Sequence, residues 1–337
     1  MFFGVKIFCG YPRHKADIIP FSVTLNDKIK ESKKNMKTTR KIFLLGAVLA
    51  FTGGLFWGGS GVFGQFLFDF KGATSMFLIP IRLLLGGSLM LVYFFIKDGK
   101  KTFSVWKNKK DALLLAAYGI FGLGMCQFTY FQTIEWSNAG TACVIQYLGP
   151  SLIIIWTCLS LKRKPRTTEV VAVICAMVGI FLIATHGNPS NLVLSPKALC
   201  MGLLSAVAVA MYTLLPVKLL DRYSAPLILA WGMLIGGIVL AIVFRPWNYS
   251  MQVDLLSMGS FAYLIIVGTI MSFTLYTEAV KIIGGVSASL FSCIEPVSAT
   301  VLTVVFMGTS FAPMDLVGFV FVLSTIFISA IKPKSAS

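Results

Sequence analysis

The sequence has few charged residues and lacks the residue sets that most enzymes and metal sites require. Only 12% of its 337 residues are charged, which is about half of the proportion in an ordinary soluble domain. The two histidines, His14 and His186, lie far apart, and none of the seven cysteines forms a Cys-x-x-Cys pair. The segment from Gly99 to Thr102 lacks the upstream glycine of a phosphate-binding loop. We therefore expect no metal site, no disulfide framework, no cofactor and no direct use of ATP.

Apolar side chains dominate what is present. They make up 57% of the chain, and the mean hydropathy is +0.84. The net charge of +16 comes from Lys and Arg in a tail and in short loops between apolar runs, which is how membrane proteins fix their orientation. This distribution gives no support to nucleic-acid binding. It predicts an all-α integral membrane protein, since helices satisfy their own backbone groups in lipid.

Ten apolar runs are long enough to cross a bilayer as helices of about 20 residues. The predicted spans are 42–67, 73–96, 111–133, 138–160, 168–186, 198–219, 225–244, 258–280, 285–307 and 313–331. Loops after the even-numbered spans are basic, whereas the opposite loops hold only Lys71, Lys197 and Arg245. Because basic loops stay in the cytoplasm, the alternation predicts a multi-pass protein of the inner or plasma membrane with both termini cytoplasmic.

Two stretches of the chain carry the same pattern. Residues 130–184 align with residues 276–330 without a gap, which places Tyr130 on Tyr276 and Pro150 on Pro296. A weak internal repeat in so hydrophobic a chain indicates a secondary transporter built from two halves. We predict a first repeat over 41–190 and a second over 191–332, with a basic cytoplasmic tail at 1–40 and a short tail at 333–337.

The first 35 residues differ in kind from the rest. They are polar and mixed in charge, and Met36 after them is followed by a basic stretch and then by the first apolar run. We hypothesise that Met36 is the initiator and that residues 1–35 are an upstream reading or a disordered tail.

Short motifs within the spans carry a resemblance to a known family. The first span holds Phe56-Trp57-Gly58-Gly59-Ser60, the second holds Arg82 shortly after Pro80, and the ninth holds Glu295-Pro296. Over about residues 40–331 the chain resembles the EamA-type transporters of the drug/metabolite transporter superfamily. The resemblance implies ten transmembrane helices as two five-helix inverted repeats and a central substrate cavity. It also implies export or exchange of small metabolites, often amino acids. It does not fix the substrate, because Gly149 stands where the second repeat has Glu295.

Three ionisable side chains lie within predicted spans: Arg82, Glu278 and Glu295. A charge near the bilayer centre costs about 2.5–3.5 kcal/mol on insertion scales, so such residues often mark a pathway. Glu295 is interpreted as the ligand of a substrate amine or a proton-coupling carboxylate. The alternative is a structural carboxylate that is hydrogen-bonded across helices or bound to Arg82. Arg82 holds a substrate carboxylate, pairs with Glu295, or snorkels outward. Glu278 has a functional role or forms an interfacial ion pair with Lys281.

Four prolines also lie inside predicted spans: Pro80, Pro150, Pro216 and Pro296. Each lacks an N–H and frees the carbonyl four residues before it, which a bundle tolerates where the carbonyl lines a cavity or meets a neighbour. We interpret them as helix kinks that serve alternating access, or as static kinks. Gly54 and Gly58 form a small-xxx-small step that favours close helix packing.

Polar and aromatic residues gather near these points, and we take them as candidates for substrate binding. They are Trp57, Tyr130, Gln132, Gln146, Tyr147, Tyr212 and Tyr276. A cavity lined by them suits an amphipathic metabolite, although any single aromatic is more often a packing residue.

Together these patterns predict a secondary active transporter, with an amino acid or related compound as its exported substrate. Substrate binds between the halves near the midplane and is exposed to each side in turn. If a proton is the coupling ion, Glu295 is the expected carrier. The alternatives are a passive channel, a non-transport membrane protein, and a membrane enzyme, for which the loops offer no catalytic set. The expected partners are the bilayer and the substrate, and the chain is a monomer or a homodimer.

Overall fold

The computed structural model describes residues 25–188 and 192–330, and these residues form helices and no strand. The predicted tail at 333–337 and most of the segment 1–35 lie outside the described residues. The hypotheses on the initiator and on the two tails therefore stay predictions.

Ten helical segments, α1 to α10, follow one another along the described chain. The first five are α1 Leu25–Lys71, α2 Ser75–Asp98, α3 Lys109–Trp136, α4 Ala139–Ser160 and α5 Thr167–Thr185. The others are α6 Pro196–Leu220, α7 Ala225–Phe244, α8 Leu255–Ile283, α9 Gly285–Ser292 with Ile294–Met307, and α10 Pro313–Ala330. In the described chain nine segments, α1 to α9, are long and apolar enough to cross a membrane. The corresponding stretch of α10, Pro313–Thr325, is shorter, so a tenth crossing stays a prediction.

Polar side chains at the loop ends determine where several helices begin. Thr74, Asn138, Ser195 and Asp254 each accept a hydrogen bond from a backbone N–H in the first turn of the helix that follows. Such caps satisfy N–H groups that have no partner within the helix. These four helices therefore begin at a polar residue of the preceding loop.

Three of the helices are interrupted next to a proline. In α4 the helix stops at Gln146 and resumes at Gly149, one residue before Pro150. In α9 it stops at Ser292 and resumes at Ile294, two residues before Pro296. The interruption of α6 lies at residues 215–216 and includes Pro216. Pro80 differs, since α2 continues through it without a break.

The interruptions of α4 and α9 fall at matching places in the two stretches of similar sequence. The offset that places Tyr130 on Tyr276 also places Tyr147, within the first break, on Cys293, at the second. The same offset places the π-helical segment of α3, Tyr118–Gly124, on residues 264–270, and α8 has its π-helical segment at Ile266–Met271. The backbone irregularities therefore recur with the sequence pattern.

Helices of the first half pack mainly against helices of the second half. The helix α2 packs against α7, and α5 packs against α10. The helix α1 packs against α8 and α9, while α6 packs against α3 and α4. The first helix of each half therefore lies against the third and fourth helices of the other half. One apolar core runs through both halves, from Ala50 to Val322.

Large apolar side chains also cover the outside of the bundle. Ile242 is 67% exposed and Phe306 is 70% exposed. Such surface is expected where lipid tails replace water, because there the exterior needs no polar side chains.

Candidate functional site

Arg82 lies inside the bundle, on α2, and is only 3% exposed. Its Nε donates to Thr269 Oγ1 at 3.0 Å, and its Nη2 donates to Ser60 Oγ at 3.2 Å and to the Gly268 carbonyl at 3.3 Å. Its Nη1 approaches Gln127 Oε1 at 3.5 Å. Side chains and backbone from α1, α3 and α8 therefore hold the guanidinium in one orientation. It does not snorkel to a surface.

The charge of Arg82 has only neutral neighbours in the described structure. No carboxylate of the described chain lies within ion-pair distance of the guanidinium, which instead lies over the ring of Phe131, 4.8 Å from its centroid. A buried cation without an anion is costly: removing one partner of a buried ion pair strongly destabilises proteins, because the remaining charge is left uncompensated. The arrangement leaves Arg82 able to bind an anionic group.

The π-helical segment of α8 brings its backbone close to this guanidinium. A Cβ on Gly268 would lie 2.6 Å from Ser60 Cβ, so only glycine allows α1 to approach so closely. Thr269 Oγ1, which accepts from Arg82, also donates to the Leu264 carbonyl five residues back, at 2.8 Å. Wide turns of this kind occur frequently at functional sites.

Glu295 lies at the junction of α1, α4 and α9 and is 6% exposed. Its Oε2 accepts a hydrogen bond of 3.3 Å from the hydroxyl of Tyr147, which lies in the break of α4. Glu295 is in the first turn of the helix that resumes after the break of α9, where the N-terminal partial charge favours a carboxylate. No described Lys, Arg or His lies within ion-pair distance of it. The predicted alternative of a structural Arg82–Glu295 pair is therefore wrong, whereas the bond from Tyr147 agrees with the alternative of a carboxylate hydrogen-bonded across helices.

One turn of α1 contacts four of the predicted site residues. We call residues 57–61 the signature turn. The ring of Trp57 lies 5.3 Å from that of Tyr276, and Ser60 binds Arg82. A Cβ on Gly58 would lie 2.7 Å from the Glu295 carbonyl oxygen, and one on Gly61 would lie 3.0 Å from the Tyr130 hydroxyl. The glycines of this turn let α1 pass close to both charged residues.

Trp57 adds an unsatisfied donor to the signature turn. It packs against Phe273 and Tyr276 and is 6% exposed. Its indole N–H has no hydrogen-bond partner among the described residues. A buried donor without a partner costs about 1–3 kcal/mol, and such a group in a native protein calls for an explanation, such as a functional role or an ordered water.

Other predicted residues lie away from this turn. Gln132 accepts from Ser75 Oγ at 2.8 Å and donates to Glu135 Oε2 at 3.1 Å, so it joins α3 to the start of α2. Tyr212 stacks beside Tyr118 with ring centroids 5.5 Å apart, between α6 and α3. These residues have packing and capping contacts in this structure.

Gln146 and Glu278 have contacts that do not include Arg82 or Glu295. The Gln146 amide approaches Cys126 Sγ at 3.7 Å on the side of the bundle where α4 meets α3. Glu278 is on the surface and forms an ion pair with Lys281 three residues later, as one of the two sequence interpretations expected.

Sequence reasoning missed the three side chains that orient Arg82: Ser60, Gln127 and Thr269. Ser60 was part of the first-span motif, and Gln127 is an amide within an apolar run, so both carried a signal. Thr269 carried none, since threonine is common in membrane helices and bonds to its own backbone. In the described residues no group of three His, Cys, Asp or Glu side chains is placed to hold a metal ion.

A cavity of ≈490 Å³ lies on another side of the signature turn. It is bounded by α1, α8 and α9, and its lining, which includes Gly59, Phe63, Tyr263 and Phe306, is almost entirely apolar. Its walls do not include Arg82 or Glu295. This cavity therefore differs in chemistry from the charged site.

Comparison with known proteins agrees with this architecture. The sequence model of the EamA-like transporter family matches residues 44–185 and again residues 196–331. The chain is 36% identical over 299 residues to an uncharacterized inner membrane transporter of Salmonella typhimurium, YicL, covering 89% of this chain and 98% of that one. It is 23% identical over 286 residues to the uncharacterized transporter YwfM of Bacillus subtilis, covering 83% and 91%.

A solved crystal structure shares the fold, with a TM-score of 0.54 at 15% identity, and the match covers 87% of this chain and 96% of that one. The family match covers both halves described above, and the long matches are to transporters. The chain therefore belongs to the EamA-like transporter family and is a multi-pass membrane transporter.

Proposed function

We propose that this chain is a secondary active transporter that exports a small zwitterionic metabolite, an amino acid or a related compound, by alternating access. The observation that carries the proposal is a pair of opposite buried charges, Arg82 and Glu295, neither of which has an ionic partner in the described structure. Both contact the signature turn of α1. Export is the direction that the family resemblance implies.

A zwitterion supplies the two charges that the bundle lacks. Its carboxylate accepts from the Arg82 guanidinium, and charge-assisted bonds of this kind are about twice as strong as neutral ones. Its ammonium group donates to Glu295, beside the Tyr147 hydroxyl. Binding then relieves the cost of both buried charges, and the buried Trp57 N–H offers a third polar contact.

The packing supports movement of the two halves about a central site. The first helix of each half lies against the third and fourth of the other, and breaks occur at matching places in α4 and α9. Such reciprocal packing is expected of two inverted five-helix repeats. Rocking of one repeat against the other would expose a midplane site to each side of the membrane in turn. The breaks beside Pro150 and Pro296 provide points at which α4 and α9 bend.

Two ion pairs join equivalent helix ends and are suited to hold the closed arrangement at each side. Lys71 at the end of α1 pairs with Asp254 at the start of α8. Arg222, just after α6, pairs with Asp111 near the start of α3 at 2.8 Å. In the inverted arrangement these contacts lie on opposite sides of the membrane. One pair opens while the other stays closed.

Glu295 also gives the transporter a route to proton coupling. A proton and a substrate ammonium group compete for the same carboxylate, because a nearby cation favours its ionised form. Binding of the substrate would therefore release the proton. We propose that the proton, if it is the coupling ion, is carried by Glu295.

The test is counterflow of labelled amino acids by the purified chain in liposomes. We expect saturable counterflow, a loss of about tenfold or more in Arg82→Lys, which cannot reproduce the fixed fork of bonds, and no change in the control Glu278→Gln. Conductance without saturation would instead indicate a channel. Absence of counterflow for any amphipathic metabolite would contradict a carrier. Unchanged pH dependence in Glu295→Gln would exclude this residue as the proton carrier.

A further inference from the structure

We propose that the lysine-rich segment between α2 and α3, residues 97–110, binds the headgroups of anionic phospholipids in the leaflet that it faces. We call this segment the interfacial strap. The proposal does not depend on the transported substrate. It rests on the folded state of the segment, on its aromatic side chains and on its unpaired charge.

The interfacial strap is a folded element. Its middle is a 3-10 helix, Gly99–Lys107, that turns away from α2 at Gly99, whose φ is 56°. The Thr102 carbonyl accepts a hydrogen bond of 3.0 Å from the indole N–H of Trp231 on α7. Two residues of the strap, Thr102 and Val105, have fully buried side chains. These contacts fix its depth relative to the bundle.

That depth is the one expected for the boundary between lipid tails and water. Trp231 is six residues into α7, which is about 9 Å along the helix axis from its start. Phe103 and Trp106 of the strap contact its ring, with centroids 5.5 and 5.2 Å away. Both of these rings remain nearly half exposed. Partly exposed aromatic rings at the end of membrane helices are typical of the interfacial region.

The charge of the strap is strongly positive. It has six exposed lysines against one acidic residue, Asp98. The lysines are Lys97, Lys100, Lys101, Lys107, Lys109 and Lys110. None of the six forms an ion pair within the described part of the chain. Lysines beside interfacial aromatic rings attract anionic lipid, because the rings hold them at the height of the phosphates.

A second basic loop provides an internal control. Residues 161–166, between α4 and α5, hold Lys162, Arg163, Lys164 and Arg166 but no aromatic residue. Arg163 there is already paired with Glu169, with two bonds of 2.8 Å. This loop has positive charge but no anchored aromatic rings. We therefore expect it to attract anionic lipid in the membrane but not to retain that lipid after extraction into detergent.

The experiment uses the full chain in phosphatidylcholine nanodiscs with phosphatidylglycerol added or omitted. The strap variant combines Lys100→Gln, Lys101→Gln and Lys107→Gln, and the control combines Lys162→Gln, Lys164→Gln and Arg166→Gln. Phosphatidylglycerol that stays with the protein after extraction into neutral detergent is measured by mass spectrometry. Loss of three lysines should weaken lipid binding about a hundredfold, so we expect the strap variant to retain little phosphatidylglycerol and the control to retain nearly as much as the wild type.

Two further arms separate the source of the phosphate and the role of the rings. Inorganic phosphate and glycerol phosphate should not displace the lipid, and displacement by either would overturn the proposal in favour of a soluble anion site. Trp106→Gln, which keeps every charge, should weaken retention. Equal losses in the strap and control variants, or full retention in both, would overturn the proposal.

Discussion

The two helix crossings at the centre of the bundle share an arrangement but differ in chemistry. Where α1 passes α8 and α9, the signature turn contacts Arg82 and the backbone of Glu295. Where α6 passes α3 and α4, the corresponding contact is between Gly149 and the apolar side chain of Val209. Val209 packs there with Cys126 and Ala208. Glycines allow close approach at both crossings, but only the first carries charge.

This difference separates two roles that the repeat could serve. Features shared by both crossings, such as the breaks beside Pro150 and Pro296, are the better candidates for the scaffold and for its proposed movement. The second crossing packs without charge, so charge is not needed for the arrangement that the two crossings share. It is therefore the better candidate for recognition of the substrate. Four predictions test this division, from the largest expected effect to the smallest.

Placing a carboxylate at the neutral crossing should be the most damaging change. Gly149→Glu introduces a charge where Val209 and Ala206 offer no cation and no signature turn, and an intramembrane charge costs about 3 kcal/mol. The control Gly149→Gln has nearly the same volume and no charge. We expect the Glu variant to have the lower thermal stability in detergent. Equal stability of the two variants would show that the neutral crossing accommodates charge as readily as the charged one.

Closing the gap at the charged crossing should have the next largest effect. In Gly58→Ala the new Cβ would lie 2.7 Å from the Glu295 carbonyl oxygen, a backbone atom that cannot rotate away. Overpacking of this kind costs about 1–3 kcal/mol. Gly259→Ala on α8 is the control, because a Cβ there meets no atom within 4 Å. Thermal unfolding in detergent measures both, and a similar loss in the control would contradict the close approach of α1 and α9.

Neutralising Glu295 should change stability in the opposite direction. Glu295→Gln keeps the shape and the contact with Tyr147, and it removes a buried carboxylate without a cation, so the substrate-free protein should gain about 1 kcal/mol. Stabilisation by added substrate should be lost at the same time. The exposed Glu278→Gln is the control and should change neither. A loss of stability in Glu295→Gln would assign the carboxylate a structural role.

We expect the smallest effect from breaking the ion pair between Lys71 and Asp254. A hydrogen bond from Lys71 lowers the pKa of Asp254 from 3.8 to about 2. A depressed pKa means that the pair contributes in full above pH 4 and is lost as the pH falls toward 2. Titration of the Asp254 carboxyl by NMR should show this shift, and Lys71→Gln should return the pKa toward 3.8. An unshifted pKa of Asp254 in the wild type would contradict the proposal that this ion pair holds one side of the transporter closed.

Much of the scaffold could be predicted from the sequence. Of the ten predicted spans, nine correspond to helices of membrane-spanning length within the described residues, since lipid leaves the backbone little choice but to form helices. The prolines marked the neighbourhood of three interruptions, because a missing N–H cannot continue the hydrogen-bond ladder. Arg82 and Glu295 were identified because charge within an apolar run is costly wherever the helices pack.

The partners of those residues could not be predicted in the same way. The sequence left open whether Arg82 bound Glu295, and the structure places neutral groups of Ser60, Gln127 and Thr269 around it instead. Gln132 fitted the same polar pattern, yet it lies at the start of α2 beside Ser75. A polar residue in an apolar run needs partners, but its sequence position does not say which helix face it occupies.

The sequence by itself therefore determined the membrane environment, the helices, the internal repeat and the positions of intramembrane charge. These depend on the composition of short segments and on their local backbone chemistry. Only the tertiary structure decided that one turn of α1 meets residues of α2, α3, α8 and α9, and that Arg82 and Glu295 stay apart. Those contacts join residues that are distant along the chain, by more than two hundred positions for α8 and α9, and they depend on where glycine allows two helices to approach closely.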